Sequence, residues 1–233
     1  LMPHVQERSH KAWIEEFKRC DEIEREKVIV KDFALPEQSI KMANVVERLS
    51  RKTNGEAIIV TDVGQHQMVV SRYYAFRGRD NNVTSGGLGT MGFALPAAIG
   101  AKTARPQDEV IAVIGDGGFQ MTLQELGTIF QEETAVKIVL LNNNFLGMVR
   151  QWQQLFFDRR YSSVEMKNPD FIKIAEGFGI TARKIERPGE LDAALDEMLA
   201  HKGAYFLEVV VEKEENVFPM VPTGASVADI RLE

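Results

Sequence analysis

With Cys20 its one cysteine in 233 residues, the chain has no internal disulfide framework and no cysteine metal cluster. A reducing cytoplasm is the simplest home for such a composition. No H-E-x-x-H spacing is present, which argues against a zinc site of that kind. No apolar run approaches the roughly 20 residues of a membrane-crossing helix, and the opening LMPHVQERSH lacks a signal-peptide core. Positive charge is in deficit: 28 Lys and Arg against 34 Asp and Glu leave a net charge of −6. That balance disfavours a nucleic-acid binder, yet a local phosphate site needs only a few donors. Repeats and low-complexity tracts are also missing. The length suits one large domain or two small ones, and Leu1 with its charged surroundings reads as the start of a piece of something longer.

What is present alternates strands with helices. Residues 4–27 mix Trp13, Ile14, Phe17 and Ile23 with charges at helical spacing and predict an amphipathic helix. Residues 28–36 read as an extended connector, with Pro36 opening a helix over 37–52. Strands are expected at 57–60, 110–114, 136–141, 180–186 and 205–211, and helices at 93–104, 145–157, 170–178 and 190–201. Residues 156–169 read as an irregular, mobile connection and the tail from 212 as loop. The fold class is α/β, a doubly wound, mostly parallel sheet with helices on both faces. Residues 1–36 form an N-terminal helix and connector, and 37–233 the compact domain.

The chain is organised around 109–147. The runs at 110–114 and 136–141 are almost wholly β-branched or leucine, as strands buried on both faces of a parallel sheet require. As neighbours, they would project Asp116 and Asn143 from the same carboxyl edge, where open α/β folds bind ligands. A carboxylate and a carboxamide, with backbone carbonyls, are too sparse for calcium but suit Mg²⁺, which completes its octahedron with water and substrate phosphates. Gly115, Gly117 and Gly118 allow a backbone to approach an anion at the start of the following helix. The plainer alternative is a turn whose aspartate caps a helix, followed by an asparagine turn.

Other motifs are less specific. His66, after Val63-Gly64 at the end of the first strand, reads equally as a phosphate donor or a surface histidine. Gly87, Gly89 and Gly92 match G-x-G-x-x-G formally, but the preceding strand is too weak for a dinucleotide site. A glycine loop approached by a flat ligand fits better, with Met91 either supporting it or simply filling core. Met148 and Trp152 lie one turn apart on a helix that starts at the crevice. Such a stripe is more often core than pocket.

The GDG and NN elements, with Asp116 and Asn143 27 positions apart, resemble the thiamine diphosphate motif. GQHQM, TSGGLGTMGFALPAAIGA, MTLQEL, LNNNFLGMVRQWQ and NPDFIKIAEGFGI are similar to the large catalytic subunit of acetolactate synthase, from about Ile40 to the C-terminus. The resemblance implies Mg²⁺ held by Asp116, Asn143 and the Phe145 carbonyl, and Gln65, His66, Gly117 and Gly118 against the diphosphate. Gly89, Met91 and Met148 would surround the aminopyrimidine and thiazolium rings, with Gly115 and Gly147 completing the cofactor contacts. Trp152 would line the substrate pocket and favour a larger 2-keto acid acceptor. Two departures stand out: Gly118 replaces a serine common in relatives, and Val69 a tryptophan.

The implied activity belongs to a whole transferase of branched-chain amino-acid biosynthesis. It decarboxylates pyruvate and ligates the hydroxyethyl group to pyruvate or 2-oxobutyrate. Its activating glutamate is expected in an N-terminal domain outside this sequence and most of its FAD contacts in a middle domain, so the 233 residues alone are expected to be inactive. Expected partners are 2-keto acids, a second copy in a homodimer or dimer of dimers, and an optional small regulatory subunit, with no nucleic acid and no membrane. The alternatives are another thiamine-dependent decarboxylase, oxidase or carboligase, or a non-catalytic dimerisation module of the same fold.

Overall fold

The computed structural model describes residues 8–34 and 38–233. Leu1–Ala34 and Phe218–Glu233 make up one compact unit and Leu35–Val217 the other. In the smaller unit, α1 (Lys11–Glu24) continues through a π-helical turn (Arg25–Ile29) into α2 (Val30–Phe33). This corrects the extended connector expected from residue 28. The valines and isoleucine there have only a weak preference against helix, no glycine or proline interrupts 25–33, and each added residue of an existing helix gains a hydrogen bond. Residues 4–7, like Pro36 and Glu37, lie outside the described residues. The tail pairs Met220 with Arg231 in an isolated antiparallel bridge and turns through Val227–Asp229, capped by Ser226.

The larger unit is a six-stranded, all-parallel sheet in the order β2-β1-β3-β4-β6-β5. The strands are β1 (Ile58–Thr61), β2 (Asn82–Thr84), β3 (Val110–Gly115), β4 (Lys137–Asn142), β5 (Thr181–Ile185) and β6 (Tyr205–Val210). Its helices are α3 (Met42–Lys52), α4 (Gln65–Tyr73), α5 (Ala94–Ala104), α6 (Asp116–Thr122), α7 (Leu126–Gln131), α8 (Gly147–Phe156), α9 (Phe171–Gly177) and α10 (Leu191–Ala200). Helix α3 begins later than expected. The Ile40 backbone is instead bridged to Val211, and its carbonyl accepts from Glu212 N at 2.8 Å, which takes the bond an earlier helical turn would need.

Strand side chains alternate between faces. Ile58, Val60, Ala112, Ile114, Ile138, Leu140 and Phe206 pack in one cluster with residues of α5, α6, α7 and α9. The opposite parity, including Ile59, Ile111, Val139 and Leu207, is equally buried. The largely apolar runs of β3 and β4 reflect this two-sided cover. From β1 the chain moves outward to β2, whereas from β3 it moves the other way to β4. The loops leaving β1 and β3 therefore diverge, and such a switch point opens a crevice at the carboxyl ends of the strands. No helix among the described residues is long and apolar enough to cross a membrane.

Candidate active site

Strand register sets the site. Gly115 is paired with Leu141 across β3 and β4, so Asp116 and Asn143 leave adjacent strands one and two residues beyond that pair. Asp116 is the first residue of α6 and is 1% exposed; Asn143 is 4% exposed. Together with Gln65, His66, Met91, Gly115, Gly117, Gly118, Phe145 and Gly147 they line one recess of about 40 Å³. That space takes a few water-sized groups, enough for an ion and part of an anion. Three expected residues do not line it. Gly89 is exposed in the glycine loop with open space where a side chain would start, Met148 is half-buried, and Trp152 is 38% exposed on α8 with its ring 5.2 Å from that of Phe156.

His66 is in the first turn of α4 and buried, which removes the reading as a surface histidine. A side chain at Gly115 would come within 2.9 Å of its ring, so glycine there admits the imidazole. Burial holds the His66 pKa down to about 4, against a contact with the Asp62 backbone carbonyl, and Nε2 has no hydrogen-bond partner. The ring is therefore neutral near pH 7. An anion at Nε2 would favour its protonated, donating form. Gln65 lines the recess, but its amide is already committed. Its Nε2 donates to Gln151 Oε1 (3.0 Å) and to the Glu215 carbonyl (2.8 Å), while its Oε1 accepts from Asn143 Nδ2 at 3.4 Å. The Asn143 oxygen accepts from Phe145 N at 3.1 Å, which orients the carboxamide.

Burial pushes the Asp116 carboxyl up to about 6, opposed first by a hydrogen bond from Asn168 and then by nearby backbone N–H groups. At neutral pH this is an ionised carboxylate short of solvent, a setting that favours a bound cation. Apart from the His66 ring, the polar side chains that line the recess carry oxygens. Among the described residues no three His, Cys, Asp or Glu side chains cluster for a metal, so the site fits Mg²⁺, which needs few side chains.

Sequence reasoning did not single out Asp62. It is fully buried, its carboxyl is raised by desolvation, and it accepts from Val63 N (2.8 Å) and from Gly92 N (2.9 Å). The Gly92 carbonyl in turn accepts from Thr122 Oγ1 at 3.1 Å. The glycine loop is thus pinned at Gly92, whose φ of 83° suits glycine. The N–H that a nucleotide phosphate would need there is already taken. The available signal was a polar residue at the end of β1. Asn168 was missed as well, because it reads locally as the start of a helix.

Gly118 makes room for Asp62. A Cβ at this position would sit 2.0 Å from Asp62 Oδ2. Gly118→Ala is expected to lower stability by about 2 kcal/mol or more, read by urea denaturation. Adding Asp62→Ala should recover part of that loss, whereas additive losses in the double variant would sink the clash account.

Over 192 residues the chain is 49% identical to the acetolactate synthase isozyme 2 large subunit of Escherichia coli (strain K12), covering 82% of this chain and 35% of that protein. It is 47% identical over 193 residues to the mitochondrial acetolactate synthase catalytic subunit of Saccharomyces cerevisiae, covering 82% and 28%. It is also 47% identical over 190 residues to the acetolactate synthase large subunit of Lactococcus lactis, covering 81% and 32%. The chain spans about a third of the length of these relatives. Residues 62–209, from the buried Asp62 through β6, match the family described as "Thiamine pyrophosphate enzyme, C-terminal TPP binding domain". With the recess, the sheet order and this match in agreement, the chain belongs to the thiamine pyrophosphate enzymes, as their C-terminal TPP-binding domain.

Proposed function

We propose that the recess anchors the diphosphate of thiamine diphosphate through Mg²⁺, and that the chain is the C-terminal part of an acetolactate synthase catalytic subunit. One observation carries the reading: two oxygen-bearing side chains just past the ends of adjacent strands and the unpartnered Nε2 of His66 border the same recess. Asp116, Asn143 and the Phe145 carbonyl would hold the metal. His66 and the backbone at Gly117 and Gly118 would meet the diphosphate, while the Gln65 side chain positions Asn143. When bound, the cofactor supplies the nucleophilic carbon and electron sink for breaking the carboxyl bond of a 2-keto acid. The residues of this chain supply charge and orientation. Asp116 neutralises the cation, buried amides keep the ligands in place, and packed apolar groups around the recess limit water.

In this reading residues 37–233 are the diphosphate-anchoring domain and residues 1–36 a linker from earlier domains. Gly89, Met91 and Met148 would approach the cofactor's rings. The half-exposed Trp152 would meet the substrate once the remaining domains or a second subunit cover α8. FAD, a homodimer or dimer of dimers, and a small regulatory subunit belong to the whole enzyme; the name "large subunit" of two relatives supports the last. A cytoplasmic location, suggested by the single free cysteine, is part of the same proposal. The full-length gene product, given pyruvate, Mg²⁺ and thiamine diphosphate, is expected to form acetolactate. Acetaldehyde or acetyl phosphate as the main product would overturn the assignment.

A further inference from the structure

Asp116 does not stand alone at the recess. Asn168, 52 residues later and just before α9, places its Nδ2 2.6 Å from Asp116 Oδ2. The same nitrogen lies 2.9 Å from Asn142 Oδ1 and 3.2 Å from Asn144 Oδ1. Which way the Asn168 amide faces is decided by its other end, because Oδ1 accepts from Gln120 Nε2 at 3.0 Å. Asn142 is held too: its Nδ2 donates to Glu208 Oε1 at 2.7 Å. Held in place by Gln120, the Asn168 amide fixes the Asp116 carboxylate in one orientation and engages Oδ2, which disfavours ligation of a cation by both oxygens.

We propose that Asn168 is a positioning residue that restricts Asp116 to one-oxygen ligation and thereby sets the site's preference for Mg²⁺ over Ca²⁺. The inference rests on the metal-binding role assigned to Asp116 above. Mg²⁺ demands a near-ideal octahedron of single-oxygen ligands at short distance, whereas Ca²⁺ accepts six to eight oxygens and two-oxygen carboxylates. A carboxylate released from Asn168 can turn both oxygens toward the metal, which favours the larger ion. Groups that orient a metal ligand from behind typically contribute tenfold or more to metal affinity.

The test is calorimetric titration of the full-length protein with thiamine diphosphate at graded Mg²⁺ or Ca²⁺, without turnover. For Asn168→Leu, the Mg²⁺ concentration needed for half-maximal cofactor binding should rise by about tenfold or more. The Ca²⁺ requirement should change much less, so the Mg²⁺/Ca²⁺ preference narrows. Gln120→Leu, which removes only the bond that turns the Asn168 amide, should move the ratio the same way by a smaller factor and serves if Asn168→Leu does not fold. An unchanged ratio in the folded variants, with normal Mg²⁺-dependent binding by the parent protein, overturns the role of Asn168 alone. Cofactor binding by the parent protein that is indifferent to either cation overturns the metal-site reading and the inference with it.

Discussion

Asp116→Asn is expected to remove Mg²⁺-dependent binding of thiamine diphosphate from the full-length protein while making the metal-free fold more stable at neutral pH. The two effects share a cause. The Asp116 carboxyl titrates at about 6 in the fold, against an ordinary value of 3.8, because burial penalises its charge. A raised carboxyl contributes stability below the unfolded value and loses it as pH rises through the folded one, so at pH 7 the metal-free protein carries the full penalty. A shift of this size corresponds to on the order of 3 kcal/mol at most. His66 works in the other direction. Its pKa is held down to about 4, so its contribution is present above 6.5 and is lost as pH falls toward 4.

The clean measurement is therefore the difference between variant and parent. In urea denaturation with a chelator present, the advantage of Asp116→Asn should grow from pH 4 to pH 7, and added Mg²⁺ should stabilise only the parent. A variant less stable than the parent at pH 7 without metal would contradict the account. So would a variant that kept Mg²⁺-dependent cofactor binding. The neutral carboxamide can still accept from Asn168, so local packing is preserved while the charge is removed.

Arg150→Ala should be among the most destabilising single changes away from the metal site. Arg150 is fully buried on α8. Its guanidinium donates to Gln154 Oε1, to the Glu215 carbonyl (2.6 Å) and to Asn216 Oδ1 (2.9 Å). Next to it, Gln151 exchanges two bonds with the Val217 backbone, at 3.0 and 2.9 Å. Helix α8 thereby holds the segment that returns from β6, and Gln65 reaches that segment through the same Glu215 carbonyl. Truncation leaves a cavity and acceptors with fewer donors, offset in part by relief of the buried charge. The net loss should be on the order of 3 kcal/mol. Lysine should rescue little, since one ammonium cannot reproduce a planar fork across separated acceptors. A loss below about 1 kcal/mol in chemical denaturation would show that the network relaxes without Arg150.

Much of the fold is written locally. The nearly continuous apolar runs of β3 and β4 state by themselves that these strands are covered on both faces and so lie inside a parallel sheet. The polar residues that end them, Asp116 and Asn143, then fall at the carboxyl edge. Hydrophobic period and strand-end chemistry are properties of a few consecutive residues, and they carried the fold class and the two central side chains. Helix boundaries were less legible: the branched residues at 28–30 looked extended, yet an established helix runs through them, and Ile40 left the predicted helix to bridge Val211. The tertiary structure alone decided that His66 is buried against Gly115, that Asp62 pins Gly92 and requires glycine at 118, and that Asn168 grips Asp116. Each of these depends on groups 30 to 56 residues apart meeting across the sheet edge. Such meetings leave no periodic trace in the chain, because strand order and register, rather than any local preference, determine which loop ends become neighbours.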